Sequence, residues 1–276
     1  MMNPIFNWDP NPEIVNIFGF SIRYYGVIFG FGLMSSIYVL KHLFKINRIS
    51  SAHLDKLVIC GTVGILVGAR FGHCFFYEPS YYLAHPLEIL LPITFNAEGG
   101  FEIIGYRGLA SHGGVLGLLL GALFYSRRTK QSLIQTFDLI AVAAGLCFGF
   151  IRIANFMNSE IIGIPTSGSW GIVFERVDSI PRHPAQLYET LSYFAIFLIM
   201  ILFYKTQKDR CGKGFFFGLA SVLFFSARFF LEFMKENQVA FEDELTFNMG
   251  QILSIPFILI GIGFVVMSYN RRINSI

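Results

Sequence analysis

The chain has 276 residues, of which 54% are hydrophobic, 17% aromatic and only 14% charged, with a net charge of +3 and a mean hydropathy of +0.58. A soluble domain carries about 25% charged residues, so this composition excludes a disordered chain, a nucleic-acid binder and an ordinary cytosolic enzyme. It fits a protein whose solvent is mostly lipid, with room for about six to eight crossings at about 20 apolar residues each.

No basic stretch followed by a short apolar core opens the chain, so no cleavable signal is expected. Long apolar stretches follow at residues 22–40, 57–77, 108–125, 133–156, 186–204, 214–233 and 250–269. They predict an all-α polytopic membrane protein with seven transmembrane helices, organised as one domain over residues 1–276. No repeat marks an inverted-repeat transporter, and no low-complexity linker divides the chain. Cys60, Cys74, Cys147 and Cys211 lie far apart with no CxxC pair, so neither a zinc site nor a disulfide scaffold is expected.

Charge placement orients the helices. One side holds Lys41, Lys45, Arg48, Lys56, Arg127, Arg128, Lys130, Lys205, Lys208, Arg210, Lys213, Arg271 and Arg272, against Asp55 and Asp209 alone. By the positive-inside rule this side is cytoplasmic, which puts the N-terminus outside and the C-terminus inside. The outer side holds only Arg107, Arg176, Arg182 and Lys235 among cations, with most of the acidic residues, Glu98, Glu242, Asp243 and Glu244 included. Outer loops at about residues 78–107, 158–185 and 234–249 are expected to form a small head. Long loops rich in Gly, Pro and aromatic residues usually carry function, so the activity is expected at the outer face.

Four cations remain within the spans: Arg23, Arg70, Arg152 and Arg228. Arg23, at the outer end of the first span, is expected to snorkel to the headgroups. Arg152 and Arg228 lie about 6–9 Å below the outer interface at 1.5 Å per residue, and Arg70 slightly deeper. A central arginine costs about 2.5–3.5 kcal/mol to insert, and guanidinium groups suit phosphate, so a bound anion is the better account of this set. Glu189 opens the fifth span. Glu232 falls four residues after Arg228, on the same helical face, and is expected to pair with it. Asp138, near a cytoplasmic end, is expected to serve a helix end.

His112 stands in Ala110-Ser111-His112-Gly113-Gly114, one turn into an inward-running span at the same shallow depth. Its neighbouring glycines permit close approach of another helix or a lipid, and imidazole titrates near neutrality, so a proton-transfer role is expected. His73 is expected to be a hydrogen-bonded core residue, and His42, His53 and His85 need no special role. On these residues a transporter or flippase for an anionic lipid or metabolite stands beside a phosphate-handling enzyme. A retinal-type sensor is disfavoured because no lysine lies within the seven stretches, and a metalloprotease because there is no HExxH.

The segment Arg152-Ile153-Ala154-Asn155-Phe156-Met157-Asn158-Ser159-Glu160-Ile161-Ile162-Gly163 resembles the signature G-R-x-G-N-F-x-N-x-E-x-x-G of the prolipoprotein diacylglyceryl transferases of bacterial membranes, with Ile151 and Ala154 in place of two glycines. Further matches are Tyr24-Tyr25-Gly26, Ser111-His112-Gly113-Gly114, His183-Pro184-Ala185-Gln186-Leu187-Tyr188-Glu189, Arg228 with Glu232, and the run from Met249-Gly250-Gln251 to Pro256. Lys235 stands where that family often carries a second arginine. The resemblance implies transfer of the diacylglyceryl group of phosphatidylglycerol to the lipobox cysteine of a prolipoprotein signal peptide, without cofactor, metal or nucleic acid. It further implies a multi-pass protein of the inner membrane, with its site toward the outer face. On this reading Arg152 and Arg228 bind the phosphate and His112 takes the thiol proton. Tyr25, Asn155, Asn158, Glu160, Gly163, Gln186 and Glu189 bind the headgroup or fix the arginines, and Glu232 orients Arg228.

Overall fold

In the computed structural model, which describes residues 6–17, 20–91, 93–95, 100–103, 108–236 and 246–273, each of the seven apolar stretches forms a helix. These are α1 (Tyr24–Ile46), α2 (Ser51–Phe76), α5 (Ser111–Thr129), α6 (Leu133–Asn158), α7 (Ala185–Gln207), α8 (Phe215–Leu231) and α9 (Met249–Ile273); the short helices α3 (Pro79–Ala84) and α4 (Leu87–Leu90) follow α2. Six are long and apolar enough to cross a membrane: α1, α2, α6, α7, α8 and α9. The expected third crossing, α5, falls outside that group because Gly113, Gly114, Gly117, Gly121, His112, Arg127 and Arg128 dilute its apolar content. Multiple crossings by apolar helices therefore hold, and seven is a finer expectation.

The expected all-α architecture holds, and short strands occur only in the described connections. β1 (Phe6–Trp8), β6 (Ile172–Phe174) and β7 (Pro181–Arg182) form a three-stranded sheet in the order β1-β6-β7, and β2 (Glu13–Ile17) pairs with β3 (Phe20–Arg23). β4 (Ile93–Phe95) pairs with β5 (Phe101–Ile103). Of the expected outer head, residues 92, 96–99, 104–107 and 237–245 lie outside the described residues, and with them Arg107, Glu98, Glu242, Asp243 and Glu244.

By its contacts the chain divides into two units, residues 44–136 and residues 1–43 with 137–276. In the first, Ser50 caps α2 through a 3.2 Å hydrogen bond from Ala52 N to its hydroxyl. Gly64 and Gly68 of α2 meet Gly113 and Gly117 of α5 backbone to backbone, where an added Cβ on Gly68 would stand 2.8 Å from Gly117 Cα. In the second unit α8 and α9 use the same device, Gly218 against Gly261. Asp138, fully buried on α6, accepts from the backbone N–H groups of Gly212, Gly214 and Phe217 at 2.8–3.0 Å. Its carboxylate thus satisfies the N-terminus of α8, the helix-end role expected of it. The buried face of α7 runs Gln186, Glu189, Thr190, Tyr193, Ile196, Met200 and Tyr204, one helical stripe that turns from polar to apolar along its length.

Candidate active site

The polar end of that stripe meets the C-terminal end of α6. α6 closes in a Schellman turn: Glu160 N–H donates to Asn155 O and Ser159 N–H to Phe156 O, with Ser159 in the left-handed region at φ 56°. Ile161 also has φ 56°, a strained value for a β-branched residue. It is held there from both sides. Gln186 Nε2 donates to Glu160 O at 2.6 Å, and Ile164 N–H donates to Met234 O at 3.0 Å. Phe156 anchors the turn below, stacked on Trp8 at 4.4 Å and packed with Ile162, Ile172 and Phe174.

This turn places the signature residues. Arg152 Nη1 donates to Asn155 Oδ1 at 3.0 Å, Asn155 Nδ2 to Glu160 Oε2 at 3.0 Å, and Asn158 Nδ2 to Glu160 Oε1 at 3.0 Å. On the other side Arg152 Nε lies 3.0 Å from Glu189 Oε2, with the glutamate side chain 0% exposed. Neither atom makes a well-directed hydrogen bond, so the contact is one of charge. The Tyr25 hydroxyl faces Asn155, Glu160 and Arg152.

Glu189 Oε1 receives two more groups: the Tyr193 hydroxyl at 3.2 Å and Lys235 Nζ at 3.0 Å. Lys235 in turn lies 3.0 Å from Glu232 Oε2. The expected partner of Glu232 was Arg228, and this is corrected: Glu232 binds Lys235. α8 gives way to a 3-10 turn at Glu232–Met234, and the Glu232 carboxyl carbon lies 2.5 Å from where a Cβ on Gly250 would stand, at the N-terminus of α9. That helix end favours negative charge, so the lysine and the helix together satisfy Glu232. Asn248 and Gln251 cap the same end reciprocally, each backbone N–H donating to the other's side chain at 3.0–3.1 Å.

Arg228 is half-buried and within electrostatic range of Tyr193. Among the described residues its guanidinium makes no hydrogen bond or ion pair. Arg152, Lys235, Glu189 and Glu232 form among themselves a balanced set of two positive and two negative charges.

Gly163 is buried where three backbone segments cross: its N–H donates to His183 O, it is bridged to Lys235, and an added Cβ would lie 2.7 Å from Met234 O. Arg182 secures this crossing from outside, donating to Gly163 O, Glu236 Oε1 and the Asp178 carboxylate. Its hydrogen bond holds the Asp178 carboxyl below the usual carboxylate range, and the same bond raises the Arg182 guanidinium.

The structure thus brings together Tyr25, Arg152, Asn155, Asn158, Glu160, Gln186, Glu189 and Glu232, with Gly163 beside them, all in the larger unit. His112 belongs to the other unit, exposed in the first turn of α5. Arg70, also in that unit, does not wait for an anion: it donates to Ile89 O and Glu88 O and lies 4.9 Å from the Tyr82 ring centre. Sequence reasoning missed Tyr193 and the use of Lys235. The signal was present in the spacing, since Tyr193 lies four residues after Glu189 and Lys235 three after Glu232.

The family of prolipoprotein diacylglyceryl transferases matches residues 12–267. A phosphatidylglycerol–prolipoprotein diacylglyceryl transferase of Bacteroides fragilis is 51% identical over 258 residues, covering 94% of this chain and 93% of the relative. Proteins of the same name from Chloroherpeton thalassium and Tolumonas auensis are 42% and 40% identical, covering 96% of this chain in each case and 94% and 98% of the relatives.

Proposed function

The chain belongs to the prolipoprotein diacylglyceryl transferase family, and from that premise we propose that it transfers the diacylglyceryl group of phosphatidylglycerol to the lipobox cysteine of prolipoproteins. The thiolate sulfur attacks the glycerol carbon that bears the phosphate ester. A C–S bond forms, the C–O bond breaks, and glycerol phosphate leaves with the bonding electron pair. The diester carries one negative charge and the departing monoester about two, since its second pKa is about 6. Catalysis therefore needs positive charge fixed where that second charge develops, and a base for a thiol of pKa about 8.5.

The observation that carries this reading is the Arg228 guanidinium, without an ion pair among the described residues and within electrostatic range of Tyr193, while the charges of Arg152, Lys235, Glu189 and Glu232 already balance one another. Arg228 takes the phosphate directly. Arg152, held at Nε by Glu189 and at Nη1 by Asn155 and facing the Tyr193 hydroxyl, is fixed in orientation and stabilises the leaving group. Asn155, Asn158 and Glu160 fix that arginine and, with Tyr25 and Gln186, line the headgroup site; Gly163 permits the close backbone crossing that closes it. Glu232 completes the charge balance. His112 removes the thiol proton, supported by its exposed imidazole next to Gly113 and Gly114. The whole chain acts as one transmembrane enzyme domain in the bacterial inner membrane, with seven crossings, N-terminus outside, C-terminus cytoplasmic and site toward the outer face. The asymmetry of Lys and Arg between alternate connections supports this orientation.

The test is mass spectrometry of a lipobox peptide incubated with the protein and phosphatidylglycerol vesicles. A diacylglyceryl thioether on the cysteine, with glycerol phosphate released and both lost in Arg228→Gln, is the expected result. Transport of intact lipid with no peptide adduct overturns it.

A further inference from the structure

Lys235 follows the 3-10 turn at the end of α8. Its side chain is 3% exposed, yet its ammonium lies 3.0 Å from each of two carboxylates, on Glu189 and Glu232. The backbone around it is fixed on both sides, by the bridge to Gly163 and by hydrogen bonds from Ile164 N–H to Met234 O and from Glu236 N–H to Ile162 O. Burying an ammonium is costly in desolvation, and an apolar residue in its place is often as stable. Stability alone is thus a weak reason for a lysine here. Electrostatics gives a stronger one, because without Lys235 the two buried carboxylates Glu189 and Glu232 would keep, among the described residues, a single paired cation, Arg152 on Glu189. Glu232, whose backbone N–H already bonds to Arg228 O one turn back, would draw in the Arg228 guanidinium.

We propose that Lys235 is a positioning residue for the transfer reaction: by occupying Glu232 and one oxygen of Glu189, it keeps Arg228 unpaired and open to the lipid phosphate. It does so without touching the phosphate itself. The proposal rests on the assignment of Arg228 as the phosphate ligand.

The experiment uses the full-length protein in mixed micelles of detergent and phosphatidylglycerol, with a lipobox peptide as acceptor, and measures kcat and KM for the lipid. Lys235→Met leaves Glu232 without its cation, so the lipid KM rises about tenfold while kcat changes by less than about threefold, the mark of lost ground-state binding. Lys235→Met/Glu232→Gln leaves Glu189 matched by Arg152 and Arg228 unclaimed, so it regains at least about threefold of that KM loss. A fall in kcat at unchanged KM, or a double variant no better than the single, overturns the proposal. If the single variant fails to fold, the double decides: its KM must lie at least about threefold below that of Arg228→Gln, and an equal KM overturns the proposal. Arg228→Gln separates the two readings, since an unchanged lipid KM there defeats the phosphate assignment whatever Lys235 does.

Discussion

Arg152 Nε and Glu189 Oε2 lie 3.0 Å apart, and the glutamate is fully buried. Glu189 meets Lys235 at its other oxygen, so one carboxylate links two cations from different parts of the chain. Removing one member of a buried pair costs about 3–5 kcal/mol because the partner's charge is stranded. Glu189→Gln keeps the shape and removes the charge. It should lower the thermal unfolding midpoint by several degrees and reduce kcat/KM for peptide lipidation by about 100-fold or more. Arg152→Lys keeps the charge and loses the fork, and should lose activity to a similar degree with a smaller effect on unfolding. Full activity in either variant counts against a fixed Arg152 orientation.

Gly250 admits the Glu232 carboxylate to the N-terminus of α9. A Cβ there would stand 2.5 Å from the carboxyl carbon and from Oε1. Gly250→Ala should therefore displace Glu232, with an overpacking cost of about 1–3 kcal/mol. Thermal unfolding in detergent checks the stability, and the lipid KM should rise as Glu232 leaves Lys235. A variant as stable and as active as the parent would refute this account.

His112→Ala should lower kcat by about 10²–10⁴, the usual worth of a positioned base. If the lost function is deprotonation, the residual rate should climb with pH toward the ordinary thiol pKa of about 8.5, more steeply than in the parent protein. A residual rate that follows the parent's pH profile would make His112 an orienting group instead.

Asp178 lies outside the spans, and its carboxyl is held below the usual range by Arg182. Its folded pKa is therefore lower than its unfolded value of about 3.9. The stability it contributes is present in full above that value and is lost as pH falls through the folded pKa. Asp178→Asn should be less stable than the parent at pH 7, and the gap should close progressively below about pH 4. Unfolding midpoints measured across that range test it, and a constant gap would show that the pair contributes no pH-linked stability.

The helices were legible because crossing a bilayer imposes a local demand, a run of apolar residues long enough to span it. All seven stretches are helical, and the signature 152–163 lies at the end of α6 as its pattern implied. The turn chemistry was less visible. Ser159 and Ile161 take left-handed conformations without glycine, tolerated because Gln186 and Met234 hold the segment from elements distant in sequence.

The sequence by itself determined a lipid environment, the helices and the membership of Arg152, Asn155, Glu160 and Glu189 in a polar constellation, since composition, periodicity and motif are read along the chain. Only the tertiary structure decided who pairs with whom. Glu232 lies on the helical face of Arg228, yet α8 tightens to a 3-10 turn at that residue, and Lys235 together with the end of α9 captures its charge. Arg70 has the depth of an anion ligand and instead ties down the carbonyls of Glu88 and Ile89. A buried charge takes whatever partner the packing brings within about 3 Å, and that partner comes from residues that no local pattern connects.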